Sequence, residues 1–576
     1  MARRKMWGLA LATVMAFTGL TACSSKNGEE PTAKPTATAE ASATATAVAT
    51  AAPDTKTEDI RKGTYKFDTP VTITTVKATD ATMKYKNGET VENNVHTRWA
   101  KEELGIDIKY LWQSPGEQFA TKIRLMLTAH EQLPDVLTTM DIGLMNELIE
   151  SGEYKDITED FNTYASDKMK DIYSSHPLAW SQVTIGGKKM ALPLFANAGN
   201  DNGVLWVRQD WLDELKLAAP TTFEELETVL QAFLDNKPGG TDNVIPLGVS
   251  MGAGGGNPNP LAGWLGESTW VFGPSGTVPY QWLVNDKGEL EHGSTWPQMK
   301  EGLARLKSWY DKGFISKEAG LHDENKLAEL IGQGRIGMVV APHWMGGWPV
   351  PDLQKNVPGA TMKPYALPTL NGKAAGRDTA FLKGGMLVRK DFEHTDALFL
   401  YLNRLFAGVG AEKGSEFEFG YAKDYDYTIK ADGSVSVLEE DIPGGKVGVY
   451  KYFLFEAKDP FLAIKKLAKN SRLYRAGTLP EADKATFGNP DVALAAEIVE
   501  DGWAAGTYVQ TEFMGATTPT MQSKGGILNK LEGETVIGII HGRKSMDDFD
   551  KFVTQWKSIG GDQMTKEANE WYNAQK

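Results

Sequence analysis

The chain has 576 residues, a formal charge of −14, 24% charged and 41% hydrophobic residues, and one cysteine. That balance excludes the clustered basic surface that nucleic acid requires. A lone cysteine excludes a disulfide framework, so a large buried core must supply the stability.

At the start, Arg3, Arg4 and Lys5 precede an apolar run from about Met6 to Leu20. The run is shorter than the roughly 20 apolar residues of a membrane span, but it suits the core of a secretory signal. The stretch Leu20-Thr21-Ala22-Cys23 resembles the lipobox of bacterial lipoproteins. The resemblance implies that Cys23 is acylated, as with palmitate, and heads a mature chain held at the outer face of the cell membrane. An ordinary signal peptide with a chance cysteine is the alternative. Removal of the three basic residues takes the charge from −14 to −17, and no nucleic-acid partner is expected. From residue 24 to about 60 the chain is dominated by Ala and Thr with scattered Pro and Glu. It has no apolar face to bury and reads as a disordered spacer, roughly 30–37 Å long on average.

Ordered structure is expected from about Tyr65. The β-branched run Val71 to Val76 predicts a buried strand. A helix follows with Val91, Val95 and Trp99 on one face and Gly105 as its stop. Ile106 to Trp112 alternates as a second strand, Phe119, Ile123, Met126 and Leu127 mark another helix, and Pro134 to Leu137 opens a third strand. Strand–helix–strand–helix–strand order predicts parallel pairing and an α/β lobe. Ligands on such sheets sit beyond the carboxyl ends of the strands, where this chain carries Thr79 and Asp80, Trp112 and Gln113, and Met140 and Asp141. Further on, a turn at Gly186-Gly187 leads to a short strand, a polar loop (Asn197 to Asn202) and an apolar strand (Val204 to Val207). Thr222 and Glu225 then have capping-box spacing ahead of a stripe of Phe223, Leu226, Leu230 and Phe233. Phe381 to Val388 reads as an apolar strand, with a helix near Ala397 to Phe406.

The stretch from Gly187 to Leu226 resembles the extracellular solute-binding proteins of sugar ABC importers, maltose-binding protein among them. Three more stretches are similar to that family. They are Gly334 to Trp344, which resembles a second-lobe strand leading to a binding-site tryptophan; Tyr365 to Thr369; and Phe549 to Trp556 with Gly560-Gly561-Asp562, which looks like the closing helix of the larger Gram-positive lipoprotein members. The resemblance implies an α/β, two-lobed, periplasmic-binding-protein-like fold with the ligand cleft between the lobes. It implies a signal peptide at 1–22, a lipidated linker at 23–60, a first lobe at 61–192 plus 377–505, and a second at 193–376 plus 506–576. The implied role is capture of a carbohydrate, an oligosaccharide by expectation, for an ABC permease. No cofactor, a monomeric state and attachment to the membrane through lipid are expected with it.

Sugars present apolar ring faces and rings of hydroxyls, so a site for them needs aromatic planes and planar polar groups. Trp112, Trp264, Trp270, Trp344 and Trp348 lie in loop contexts and are candidates for stacking. Trp344 leads them because it falls where the family places a stacking residue. Trp99, Trp211 and Trp556 have helical spacing and are expected in the core. Asp201, next to Asn200, falls where the family has a second-lobe carboxylate, while Asp80 and Asp141 end first-lobe strands. Each carboxylate has a helix cap or a solvated loop as its alternative. Arg208 is expected to pair with Asp210.

Three motifs lead elsewhere. Gly248-Val249-Ser250-Met251-Gly252 matches the nucleophile elbow G-x-S-x-G, but the glycines and prolines that follow do not form the helix an elbow needs. His130-Glu131 lacks the second histidine of a zinc-protease helix, and Pro134 breaks it. The stretch 235–243 sits where some relatives carry a calcium loop. Calcium takes six to eight oxygens, and Lys237 and Pro238 stand where donors are needed, so a metal-free turn is expected. The rival function is a secreted glycoside hydrolase using a carboxylate pair; another small solute as the ligand is a further alternative, as is an adhesion or signalling role on the same fold.

Overall fold

The computed structural model describes residues 55–574, apart from 80–82, 241–242, 253–258, 380–381, 481–482 and 484–486. Cys23 and Asp80 lie outside the described residues.

Two groups of strands, each with its own core, organise these residues, the first made of a two-stranded and a three-stranded sheet side by side and the second of one four-stranded sheet. In the first, Val71–Thr79 pairs in parallel with Ile106–Pro115, as the crossover rule predicts. Its other neighbour is Val136–Thr139, onto which Thr75 Oγ1 donates to the Val136 carbonyl at 2.9 Å. Leu382–Val388 then runs antiparallel to both Val136–Thr139 and Leu192–Phe195. In the second group the order is Met362–Tyr365, Val204–Arg208, Ile336–Ala341, Ile245–Gly248. The strand Ile336–Ala341 is parallel to Ile245–Gly248 and antiparallel to Val204–Arg208. Val204, Leu205, Trp206 and Val207 are all fully buried, because helices cover both faces of this strand.

Local chemistry sets the helix ends. Helix Val95–Leu104 starts four residues later than the apolar spacing predicts, because the Asn94 side chain accepts from the His96 and Thr97 amides and completes a capping box. It stops at Gly105, whose φ of 68° only glycine adopts without cost. Helix Phe223–Asn236 has the predicted Thr222–Glu225 box and buries the predicted stripe, with Val229 added. Arg208 grips Asp210 through Nε (2.9 Å) and Nη2 (2.6 Å) while its third arm reaches the Gly334 carbonyl. It serves the fold, as do buried Trp211 and Trp556; Trp99, half-buried, packs on His96 and Phe417.

The segment 462–504 differs from the expectation, which grouped it with the first lobe. Its helices Leu462–Arg475 and Pro490–Ala504 contribute Ile464, Ala495, Ala496 and Val499 to the second core. Lys363 holds Asp491 at 2.8 Å, and Asn489 Nδ2 donates to the Gly346 carbonyl at 2.7 Å. A Cβ on Gly346 would lie 2.9 Å from Val492, so only glycine admits this helix so closely.

The expected spacer does not reach residue 60: Thr55–Lys62 forms a helix that buries Ile60 and lies on Thr395–Ala407 of the first lobe. Lys56 pairs with Asp396 at 2.8 Å, and Asn403 Nδ2 donates to the Ile60 carbonyl at 2.9 Å. No helix among the described residues is long and apolar enough to cross a membrane.

Candidate functional site

The two groups are joined by crossing segments, and the chemistry gathers around them. One runs from Leu192–Phe195 to Val204–Arg208, and a second carries Gly376–Arg377 towards Leu382–Val388, with the short strand Tyr508–Val509 of the second core lying alongside it. Those two short strands pair in parallel, Gly376 opposite Tyr508 and Arg377 opposite Val509. Asn202, fully buried, ties the first to the second: its Nδ2 donates to Asp378 Oδ1 at 2.7 Å. Its Oδ1 accepts from the Thr379 amide (3.0 Å) and hydroxyl (2.9 Å). Tyr508 donates to the Gly203 carbonyl at 3.0 Å. Burial pushes the Asp378 carboxyl above its ordinary value, against the donors that hold it.

On the second lobe, strand Ile336–Ala341 ends in a turn, His343–Gly346, that projects Trp344. The Trp206 indole fixes this turn by donating to the Pro342 carbonyl at 3.2 Å. Trp344 and Trp348 both lie against Trp264, with ring centroids 5.3 and 5.9 Å away and planes inclined by 35° and 34°. Trp264 and Trp344 are half-buried, whereas Trp348 is 43% exposed. The trio thus offers ring surface to solvent from a rigid support. Beside it, Arg377 Nη2 donates to the Gly263 carbonyl at 3.4 Å, and its Nε lies 3.4 Å from buried Glu267. Thr269 donates to the same carboxylate at 2.9 Å. Burial raises the Glu267 pKa, Arg377 and Thr269 oppose it, and the nearby charge of Asp201 adds to the rise.

On the first lobe, a cavity of about 850 Å³ opens beyond the carboxyl ends of Val71–Thr79 and Val136–Thr139. Tyr110, Met140, Asp141, Lys383, Tyr450 and Glu456 are among its lining residues. Lys383 lies six residues from Arg377 along one crossing segment. At ~3.3–3.6 Å per residue, that segment separates the two walls by at most ~22 Å.

The structure therefore brings together Trp264, Trp344 and Trp348, with Asn200 and Asp201 on an adjoining crossing segment. Those last two are half-buried, and Asn200 Nδ2 donates to Asp201 Oδ1 at 2.7 Å. Asp141 lines the first-lobe cavity while also capping helix Ile142–Glu150, accepting from the Leu144 amide at 3.0 Å. Two expected residues lie elsewhere. Trp270 is 2% exposed, packed between Phe223 and Trp309, and its indole donates to the Glu267 carbonyl; it is core. Trp112 packs on Phe119 with Lys122 over its ring, and it is not among the residues lining the cavity. Sequence reasoning missed Arg377, Glu267, Lys383 and Glu456. The adjacent opposite charges Arg377-Asp378, just ahead of an apolar strand, were the available signal.

The other motifs take ordinary structural places. Ser250 is buried and donates to the Leu265 carbonyl at 2.6 Å. After helix Phe223–Asn236, Lys237 adopts φ 47°, and the Gly239 amide donates to Glu214 at 3.1 Å, while Thr241 and Asp242 of the 235–243 stretch lie outside the described residues. Among the described residues, no three His, Cys, Asp or Glu side chains lie close enough together to hold a metal.

Comparison with known proteins gives the same picture. A family model described as bacterial extracellular solute-binding protein matches residues 95–397. The fructooligosaccharide ABC transporter substrate-binding protein FusA of Streptococcus pneumoniae serotype 4 is 24% identical over 297 residues, 49% of this chain and 51% of that protein. The chain thus spans about half the length of that relative. The polygalacturonan/rhamnogalacturonan-binding protein YtcQ of Bacillus subtilis is 22% identical over 468 residues, 77% of this chain and 81% of the relative. Among solved structures, an HMO-binding, ABC-transporter-associated solute-binding protein from Bifidobacterium longum infantis aligns with a TM-score of 0.62 at 14% identity. That alignment covers 88% of this chain and 99% of the other, and it shows a common two-lobed α/β fold.

Proposed function

Because this chain belongs to the bacterial extracellular solute-binding protein family, we propose that it captures an oligosaccharide between its lobes and delivers it to the permease of an ABC importer. The observation that carries this reading is the layer of Trp264, Trp344 and Trp348 beside the Arg377–Glu267 pair. Sugar rings stack their C–H faces on indole planes, and their hydroxyls pair with guanidinium and carboxylate groups. The two relatives compared above bear names that refer to fructooligosaccharide and to polygalacturonan/rhamnogalacturonan.

The mechanism is binding without bond-making. A guest touches the first-lobe cavity and the second-lobe tryptophans together only when the crossing segments bend. Its extra contacts in that arrangement shift the population toward the closed state. The permease then reads the closed surface. Acylation at Cys23 holds the monomer at the outer face of the membrane, and the spacer after it gives the lobes room.

A thermal-shift screen of the full chain against a glycan panel tests the reading. A ligand at ~100 times its Kd stabilises the bound form by ~2.7 kcal/mol, so a true guest raises the midpoint clearly. No shift with any glycan refutes the saccharide assignment. Metabolic labelling with a fatty acid tests the anchor: label that persists in Cys23→Ser refutes it.

A further inference from the structure

Among the described residues, Trp296, Trp344 and Trp348 are the tryptophans that pack into none of the hydrophobic cores. The last two belong to the aromatic layer described above. Trp296 lies elsewhere: it lines a groove of about 540 Å³, within the roughly 300–1,000 Å³ usual for small-molecule sites. That groove shares no lining residue with the first-lobe cavity and contains none of the layer's three tryptophans. One wall is the hairpin of Trp282–Val284 and Leu290–His292 with the turn after it, and the other is helix Asp547–Trp556. Lys300, at the start of helix Met299–Lys312, joins the two walls by holding Asp550 at 2.7 Å. His292 stacks on Trp556, with ring centroids 5.2 Å apart, and joins them again. Asn285 Oδ1 closes the hairpin turn by accepting from the Lys287 and Glu289 amides at 2.9 and 3.0 Å. The walls are therefore fixed to each other before any guest arrives, which lowers the cost of binding one.

Two polar atoms on groove-lining side chains, Trp296 Nε1 and Gln298 Oε1, are withdrawn from bulk water and have no hydrogen-bond partner among the described residues. Atoms so placed are costly to leave unmet. One is a donor and the other an acceptor, and a hydroxyl answers both, accepting from the indole and donating to the amide oxygen. The half-buried Trp296 ring gives a plane for an apolar C–H face, and Glu291 lines the same groove with acceptors for further hydroxyls. A ring with a C–H face and several hydroxyls is a sugar. We propose that this groove is a second saccharide site, separate from the cleft, that seats a sugar ring on Trp296 with one hydroxyl between Trp296 and Gln298. It goes beyond capture between the lobes and stands without it, because no cleft residue takes part. With one aromatic plane instead of three, it binds more weakly than the cleft.

Indole-detected NMR of the full chain, isotope-labelled at its tryptophan nitrogens, tests it, with the Trp296 signal assigned through Trp296→Phe. The probes are kestose, maltotriose, xylotriose and trigalacturonate, each raised to ~50 mM, and glycerol, which has hydroxyls but no ring face. At least one trisaccharide is expected to move the Trp296 signal saturably, with a Kd of ~1–10 mM, and to do so equally in Trp344→Ala. Gln298→Ala weakens that response about tenfold, whereas Gln298→Glu keeps the acceptor and most of the response. If Gln298→Ala misfolds, the wild-type and Trp344→Ala titrations still decide. A Trp296 signal that no trisaccharide moves overturns the second site and leaves the cleft reading to its own thermal-shift screen. An equal response to glycerol overturns the saccharide class, and a response lost in Trp344→Ala overturns the separation from the cleft.

Discussion

Asn202→Ala is expected to cost about 3 kcal/mol of stability, and the structure supplies the working. The side chain is fully buried where two crossing segments meet, and it makes three hydrogen bonds there. The bond to the Asp378 carboxylate is charge-assisted, worth ~1.5–3 kcal/mol, and the two from Thr379 are worth ~1 kcal/mol each. Their sum is about 3.5–5 kcal/mol, from which water entering the space left by the amide recovers part. Urea unfolding at pH 7, followed by tryptophan fluorescence, measures the loss. Asn202→Asp is the companion variant, because it keeps the acceptor for Thr379 and sets a second carboxylate against Asp378, 2.7 Å from the amide nitrogen it replaces. One of the two carboxyls must then stay protonated in the folded state, so its deficit grows as pH rises from 5 to 8. A loss below ~1 kcal/mol for Asn202→Ala, or a pH-independent deficit for Asn202→Asp, refutes the account of these segments as a dry, hydrogen-bonded joint.

Trp344→Ala and Trp270→Ala test the proposed binding tryptophan against a structural one. Trp344→Ala should weaken the bound glycan ~10–100-fold with a nearly unchanged melting curve. Trp270→Ala should cost ~3–5 kcal/mol of stability through the cavity it leaves, and equal melting losses for the two would refute the distinction. Glu532, fully buried on helix Pro519–Ile540 beside Ser294, has its carboxyl pushed by burial from 4.5 up to about 8. A carboxyl raised in the folded state gives no penalty below its unfolded value and a growing one above it, so stability falls between pH 4.5 and about 8. Glu532→Gln should flatten that fall, and identical pH profiles for the two proteins would show that the group does not titrate in this window.

Much of the fold was legible because periodicity and caps act locally. The run Val71–Thr79, the Thr222–Glu225 box and the Gly105 stop each declare themselves within a few residues. The placement of 462–504 was not legible. Helix Leu462–Arg475 mixes buried Ile464 and Ala468 with many lysines and arginines, a face that suits either core equally. What decides is a contact distant in sequence, Asn489 on Gly346 and Asp491 on Lys363. The site divides in the same way. Trp344 was singled out by the family resemblance of the strand ahead of it, whereas Trp270 and Trp264 sit in the same loop-rich stretch, and only three-dimensional packing separates the core residue from the exposed layer. Lys383 and Glu456 are 73 residues apart and acquire meaning only when the cavity joins them.

The seating of helix Thr55–Lys62 has a mechanical result. Through Lys56 on Asp396 and the Ile60 carbonyl on Asn403, it is fastened to one half of the molecule alone. Any restraint applied ahead of Thr55 therefore falls first on that half and reaches the other through the crossing segments. If the halves close on a guest as proposed, a copy immobilised from this end should open and shut at the same rate as one in solution.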